Sequence, residues 1–224
     1  GGPDDCVKRG RAALDLFRSA DQNQVDSAVT AVAWSLFRLK NARALAELAV
    51  EETGFGNVED KVRKNQRKTT GTLRDLLRAK TVGMVSEDRV SGISRYAKPV
   101  GLVAAVTPST NPAATPINKS MMAIKGRNAI IIAPPPSAWR TASMAVDLAR
   151  RELGKIGAPQ DLIQLLPKPV TIAATNSLME QADLVVATGD QDRVRSAYMS
   201  GTPALGVGAG NVPVIIDSSA DLAV

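Results

Sequence analysis

The second half of the chain alternates short apolar segments with helix-length amphipathic segments, and this alternation constrains the fold more than any other feature. The apolar segments are rich in β-branched residues and leucine and comprise residues 100–106, 129–133, 162–166, 184–187 and 212–216. The amphipathic segments comprise residues 111–125, 137–155, 170–181 and 190–200. Repeated strand–helix–strand units favour right-handed crossovers and a mostly parallel sheet with helices on both faces. We therefore predict an open α/β sheet.

The first part of the chain has a different texture. Apolar residues recur at steps of three and four over residues 21–52, which predicts one long amphipathic helix or two in series. Asp21 is a candidate cap at its start, and Gly54 and Gly56 can end it. A further helix is predicted for residues 57–79, and residues 81–96 are predicted to form an extended hairpin or arm. We expect two domains, one of helices and arm at 1–95 and one of α/β type at 96–224.

Composition excludes several classes of protein. The only cysteine, Cys6, rules out an internal disulfide, and a reducing cytoplasm is the expected location. Because the chain has no histidine, it cannot supply a His-based triad or a two-His zinc site, and we assign no metal site. No apolar run approaches the roughly 20 residues that cross a bilayer, so we expect no membrane span. Cys6 is interpreted as an incidental thiol, and Trp34 and Phe37 as core or packing residues.

The net charge of +6 permits a polyanionic partner. Its densest part, residues 61–80, has the pattern of a solvated helix face. Single-strand binders also need aromatic stacking platforms, and this stretch has no aromatic residue. We therefore expect no nucleic-acid partner.

Polar residues follow the first predicted strand of the sheet, at the place where ligands bind in open parallel sheets. Pro108 and Pro112 fix the backbone there and hold Ser109, Thr110 and Asn111 where they could meet a polar ligand. The alternative is an ordinary proline-punctuated loop with a helix cap.

Two further segments follow or flank predicted strands. Thr188, Gly189 and Asp190 open a helix, where free N–H groups suit a phosphate, but a carboxylate is itself the anion that such an end prefers, so an aspartate cap is the competing interpretation. The glycine-rich segment 206–211 precedes an apolar strand instead of following one, which is the wrong context for a dinucleotide fingerprint. It either lets the backbone approach a ligand or forms a surface turn.

Three stretches together resemble a known family. They are residues 100–112 (VGLVAAVTPSTNP), 125–132 (KGRNAIII) and 201–213 (GTPALGVGAGNVP). They resemble the acylating, coenzyme-A-dependent branch of the aldehyde dehydrogenase superfamily, most closely its members that act on sulfoacetaldehyde. The resemblance implies a Rossmann-like cofactor domain at 96–224 with a helical N-terminal segment, and a homo-oligomer.

The resemblance also implies a reaction. Members of this branch oxidise a small aldehyde through a cysteine thiohemiacetal, pass hydride to NAD or NADP, and release the thioester to coenzyme A. In the family that cysteine comes a few tens of residues after the glycine-rich stretch. We therefore expect it beyond Val224 and expect the 224-residue chain alone to be inactive.

The resemblance assigns roles around the reacting carbon. Hydrolytic relatives have an asparagine that supports the oxyanion, and its position matches Thr110, with Asn111 one residue later, so either can serve. Thr107, Pro108 and Ser109 are expected beside the nicotinamide. The glutamate that activates water in hydrolytic relatives matches Val207, which precedes Gly208 and cannot take a proton. Loss of this base fits release to a thiol.

The cofactor residues depart from the hydrolytic pattern. The lysine and glutamate that hold the adenosine ribose match Ala133 and Pro136, so a 2′-phosphate becomes tolerable, and Arg140 is close in sequence. We expect NADP to be accepted at least as well as NAD. Thr188 and Gly189 are expected near the phosphates, whereas Asp190 matches a phosphate-binding serine and puts the usual pyrophosphate pose in doubt.

Two other interpretations remain open. One is a truncated, non-catalytic binding or assembly module held in an oligomer by the arm at 81–96. The other is a reductase of the same fold that acts on an acyl phosphate, although the glycine-rich sequence of residues 202–213 argues against it.

Overall fold

The computed structural model describes residues 2–208, 210 and 212–221. In chain order, the helices and strands are α1 Pro3–Phe17, α2 Gln22–Phe37, α3 Leu39–Thr53, α4 Val58–Leu77, β1 Gly83–Asp88, β2 Ile93–Ala97, β3 Leu102–Val106, α5 Ala114–Lys125, β4 Ala129–Ala133, α6 Trp139–Lys155, β5 Ile163–Leu165, α7 Ile172–Gln181, β6 Leu184–Thr188, α8 Gln191–Met199 and β7 Ala204–Val207.

A parallel sheet of five strands forms the centre of the fold, in the order β5-β4-β3-β6-β7. Leu102 of β3 pairs with Ala129 on one side, and Val103 pairs with Leu184 on the other. All residues of β3 and β4 are buried because helices cover both faces. The chain runs outward from β3 to β5 and then returns to β6 on the opposite side of β3. This reversal confirms the predicted open parallel sheet and leaves a crevice at the carboxyl ends of β3 and β6.

The N-terminal helices follow the predicted boundaries closely. Asp21 caps α2 with a reciprocal capping box in which its carboxylate accepts from the backbone N–H of Gln24 at 2.9 Å. The predicted long helix divides at Arg38, where an extended ψ of 124° interrupts the hydrogen bonding. Gly54 ends α3 with a left-handed φ of 69°. The series of two helices is therefore the correct alternative.

Helix α1 was not predicted, although Pro3 at its first turn and two acidic residues after it are helix-start signals. Its buried face packs against the sheet and belongs to the same apolar cluster as α2 and the strands. Gly10 permits this approach, since a Cβ there would lie 2.9 Å from Cδ1 of Leu102. Cys6 is 2% exposed in this face.

The arm at 81–96 contains the predicted hairpin. Strands β1 and β2 pair antiparallel, with Gly83 opposite Ala97 and Asp88 opposite Ile93. Nearly all residues of the hairpin are exposed, including Val90 at its turn and Tyr96.

One prediction about apolar residues was wrong. Residues 212–216 are not a strand, because β7 hydrogen-bonds along the open edge of β6 and the apolar side chains at 212–216 are exposed. Of the two roles expected for Trp34 and Phe37, the structure shows packing and not burial in the core: Trp34 is 46% exposed and stacks on Phe37 at the surface, with ring centroids 5.6 Å apart.

Candidate functional site

A cleft of about 310 Å³ opens beyond the carboxyl ends of β3 and β4, between α7 and α8. Its walls are mostly apolar and its rim carries charged groups; the lining residues are Val106, Ala133, Pro134, Pro135, Pro136, Val170, Thr171, Ile172, Thr175, Asn176, Met179, Asp190, Asp192, Arg193 and Ser196. Three residues singled out from the sequence, Ala133, Pro136 and Asp190, meet in this cleft. An apolar cleft with a few polar groups at its rim is the usual form of a small-molecule site.

Arg140 does not reach the cleft, contrary to the expectation that it lies near the adenosine ribose. Its guanidinium Nη1 donates to Glu51 at 3.0 Å, and its backbone N–H donates to Glu52 at 2.7 Å. Glu52 also accepts from the N–H of Thr141 at 2.8 Å, so it caps the start of α6. Among the lining residues of the cleft, the arginine is Arg193 of α8.

Asp190 caps the N-terminus of α8. The Asp190 carboxylate accepts from the backbone N–H of Arg193 at 2.9 Å and forms a salt bridge with the Arg193 guanidinium, with Nε at 3.3 Å. The N–H of Gly189 donates to the carbonyl of Val207 at 3.2 Å, so it is not free for a phosphate. Between the two interpretations of this segment, the structure therefore shows the aspartate cap, and the doubt about the usual pyrophosphate pose stands.

The residues of the loop after β3 differ in their exposure to solvent. Thr107 is fully buried and its N–H donates to the carbonyl of Ala133 at 3.1 Å, but its hydroxyl has no hydrogen-bond partner within the described part of the chain. Ser109 and Asn111 are half-buried and Thr110 is exposed. The carbonyl of Asn111 accepts from the N–H of Thr115 at 3.3 Å, so this loop leads directly into α5. Leaving a buried hydroxyl without a hydrogen-bond partner costs free energy, which makes Thr107 an exception among the buried polar groups of the fold.

Lys119 on α5 is a candidate residue that sequence reasoning missed. Burial lowers the pKa of its ammonium group from the usual range to about 8. Its Nζ donates to the carbonyl of Val186 at 3.4 Å, above the sheet near the end of β6. An amine with this pKa can exchange a proton near neutral pH. The available signal was a single charged residue within the stretch 113–124.

Val207 lies at the end of the edge strand β7, paired with Thr188. Its side chain is 63% exposed and contains no group that accepts a proton. Gly208 follows it with open space around its Cα, whereas Ala209 and Asn211 of the glycine-rich segment lie outside the described residues.

A parallel sheet with a cleft at the point where the strand order reverses defines the class of α/β proteins that bind nucleotides at this position. Within that class, the model of the aldehyde dehydrogenase family matches residues 4–224. The chain belongs to the aldehyde dehydrogenase family.

Acylating and acetylating dehydrogenases match nearly the whole length of this chain. The chain is 54% identical to a sulfoacetaldehyde dehydrogenase (acylating) of Cupriavidus necator over 96% of this chain and 44% of that protein. It is 43% identical to a succinate-semialdehyde dehydrogenase (acetylating) of Clostridium kluyveri, over 97% of this chain and 47% of that protein. The crystal structure of an acetylating aldehyde dehydrogenase from Geobacillus thermoglucosidasius superposes with a TM-score of 0.91 at 40% identity, covering 99% of this chain and 49% of that one.

The chain therefore spans less than half the length of these curated relatives. Among the residues that the structure describes, no helix combines the length and the apolar character needed to cross a membrane.

Proposed function

We propose that this chain is the N-terminal, cofactor-binding part of an acylating aldehyde dehydrogenase that converts sulfoacetaldehyde to its coenzyme A thioester with NAD or NADP. The observation that carries the proposal is Val207, a side chain without a proton acceptor at the end of β7. Without a base, water is not activated for attack on an acyl-enzyme, so a thiol must release the acyl group. The 54% identity to an acylating sulfoacetaldehyde dehydrogenase supports this choice of substrate.

The chain's own residues bind and orient the reactants. The apolar walls of the cleft would hold the adenine, and Thr107, Pro108 and Ser109 would bound the nicotinamide side. When bound, the nicotinamide supplies a hydride acceptor. A donor from Thr110 or Asn111 would stabilise the oxyanion that develops on the aldehyde oxygen.

Cys6 is not the nucleophile of this mechanism. It is 2% exposed, and its Sγ lies 3.8 Å from the carbonyl of Leu165 within the packing of α1 against the sheet. The reacting cysteine of the full-length protein would therefore lie outside these residues. A reduced, buried thiol is also consistent with a cytoplasmic location.

Full-length protein is expected to form acyl-CoA from sulfoacetaldehyde only when coenzyme A is present. Cys6→Ser is expected to leave the rate within about twofold, since the thiol is remote from the cleft, and the 224-residue chain alone is expected to show no turnover. The measurement is NAD(P)H absorbance together with mass spectrometry of the product. Release of the free acid at a similar rate without coenzyme A, or turnover by the 224-residue chain, would contradict the proposal.

An assembly module is the second candidate function, favoured by the exposed apolar residues of the hairpin, which include Met84, Val85, Val90 and Ile93. In the enzyme we propose that the same arm holds a homo-oligomer together. Light scattering combined with titration of NADP separates the two functions, because a pure assembly module associates without affinity for the dinucleotide.

NADP is expected to be accepted at least as well as NAD. Ala133 and Pro136 in the wall of the cleft carry no carboxylate to repel a 2′-phosphate. Asp190 and Asp192 also line the cleft and Arg193 is paired with Asp190, so the expectation depends on Ala133 and Pro136 alone. Competitive titration of the full-length protein with the two dinucleotides measures the ratio of affinities. A preference for NAD of tenfold or more would overturn this expectation.

A further inference from the structure

The charged groups of the cleft between α7 and α8 do not suit a ligand that carries phosphates. Among its lining residues the charged side chains are Asp190, Asp192 and Arg193, two carboxylates and one guanidinium with a net charge of −1. A dinucleotide would bring a negatively charged pyrophosphate into this cleft, and like charges in close proximity repel each other. The cleft therefore opposes the most highly charged part of a dinucleotide.

Asp190 occupies the start of α8, which is the place where a phosphate would otherwise find free N–H groups. Its carboxylate accepts from the N–H of Arg193 at 2.9 Å, while 61% of its side chain is exposed and contributes to the lining of the cleft. A Cβ at Gly189 would lie 3.1 Å from Cδ of Arg193, so the arginine stem lies over the turn that opens the helix. The positive end of α8 thus already holds an anion that belongs to the protein.

The starts of the two preceding helices also carry side-chain caps. At the start of α7, the hydroxyl of Thr171 accepts from the N–H of Ala174 at 3.1 Å. At the start of α6, which follows Pro136, the carboxylate of Glu52 accepts from the N–H of Thr141 at 2.8 Å. A phosphate at any of these three helix starts must therefore compete with a cap. The cap of α8 is the one that is both charged and part of the lining of the cleft.

We infer that Asp190 is a specificity-determining residue of the cofactor cleft, whose carboxylate takes the place of a ligand phosphate at the start of α8 and lowers the affinity for phosphate-bearing ligands. The inference rests on the proposed function, because it requires that the dinucleotide binds in this cleft. The apolar walls that would hold the adenine then supply most of the binding free energy, and the pyrophosphate opposes binding. This role goes beyond capping, since a cap acts on the helix and not on the ligand.

The test measures the binding of adenosine, ADP and NADP to the full-length protein by calorimetry. Asp190→Asn removes the charge and keeps the cap, because asparagine and aspartate cap helices about equally well. This variant is expected to bind ADP and NADP about three- to tenfold more tightly than the wild type, with a smaller gain at high ionic strength. Its affinity for adenosine, which has no phosphate, is expected to stay within about twofold of the wild type. Asp147→Asn on the exposed surface of α6 is the matched control and is expected to change none of the three affinities.

Asp190→Ser, a second cap without a charge, is expected to give the same pattern, so the result does not depend on how well the fold accepts one substitution. Equal gains for adenosine and ADP would overturn the inference, because the change would then act on the shape of the cleft and not on its charge. Unchanged or weaker binding of ADP and NADP would overturn it and leave the proposed cofactor cleft intact. Failure of both the wild type and the variants to bind adenosine and NADP would count against the cofactor cleft itself, and the inference would fall with it.

Discussion

Gly101→Ala is expected to destabilise the protein by at least ~3 kcal/mol, through backbone strain and a steric clash that act at the same atom. Gly101 has a φ of +131°, a conformation that residues with a Cβ rarely adopt. A Cβ there would lie 2.1 Å from Oδ2 of Asp183. Asp183 cannot move freely, because its carboxylate accepts from the N–H of Leu102 at 2.7 Å and from Arg11 at 2.9 Å.

The matched control for this variant is Gly71→Ala in α4. Nothing lies within 4 Å of a Cβ at Gly71, so this change is expected to stabilise the protein by roughly 0.5–1 kcal/mol through the higher helix propensity of alanine. Urea unfolding, followed by tryptophan fluorescence, gives both free energies of unfolding. If Gly101→Ala lowered the free energy of unfolding by less than 1 kcal/mol, the expected clash with Asp183 would be contradicted.

The centre of the sheet could be predicted from the sequence. Strands β3 and β4 are short and entirely apolar because both faces are covered, and that pattern is local in sequence. A cap was predicted for Asp21 and was one of the two interpretations of Asp190, each from residues within three positions, and the structure shows both caps. Sequence reasoning therefore finds the structural features that depend on residues close together in the chain.

The failures concern partners that are distant in sequence. Arg140 was expected near the ribose because it follows Pro136 closely, but its partner Glu51 lies 89 residues earlier. The edge strand of the sheet is Ala204–Val207 and not residues 212–216. Hydrogen bonding to β6 determines which segment forms this strand, and apolar content does not. Both outcomes depend on packing between elements, which a single sequence does not specify.

The basic stretch 61–80 shows both sides of this limit. Its interpretation as a solvated helix face is correct for Arg63 and Arg67, which are exposed. Lys61 departs from this pattern, because it is 8% exposed and its stem lies against the turn between α3 and α4. The packing of α4 on α3 and α5 buries this lysine, and the charge pattern of the sequence does not show that packing.

Asp26→Ala is expected to cost about 3–5 kcal/mol of the free energy of unfolding, because it leaves a buried charge without a partner. Lys125, at the end of α5, is 2% exposed, and its ammonium group pairs with the Asp26 carboxylate of α2. Gln22 also donates to this carboxylate at 3.0 Å.

The double variant Asp26→Ala/Lys125→Met distinguishes loss of the ion pair from the cost of leaving the Lys125 charge buried and unpaired. Methionine fills much of the volume of the lysine stem without a charge, so the double variant is expected to recover most of the stability that Asp26→Ala loses. Asp15→Ala is the surface control: its pair with Arg18, at 3.2 Å, is exposed, and its removal is expected to change stability by less than ~1 kcal/mol. Urea unfolding of the four proteins forms the measurement. If the double variant were no more stable than Asp26→Ala, the loss would come from the packing of α2 on α5 and not from the unpaired ammonium group of Lys125.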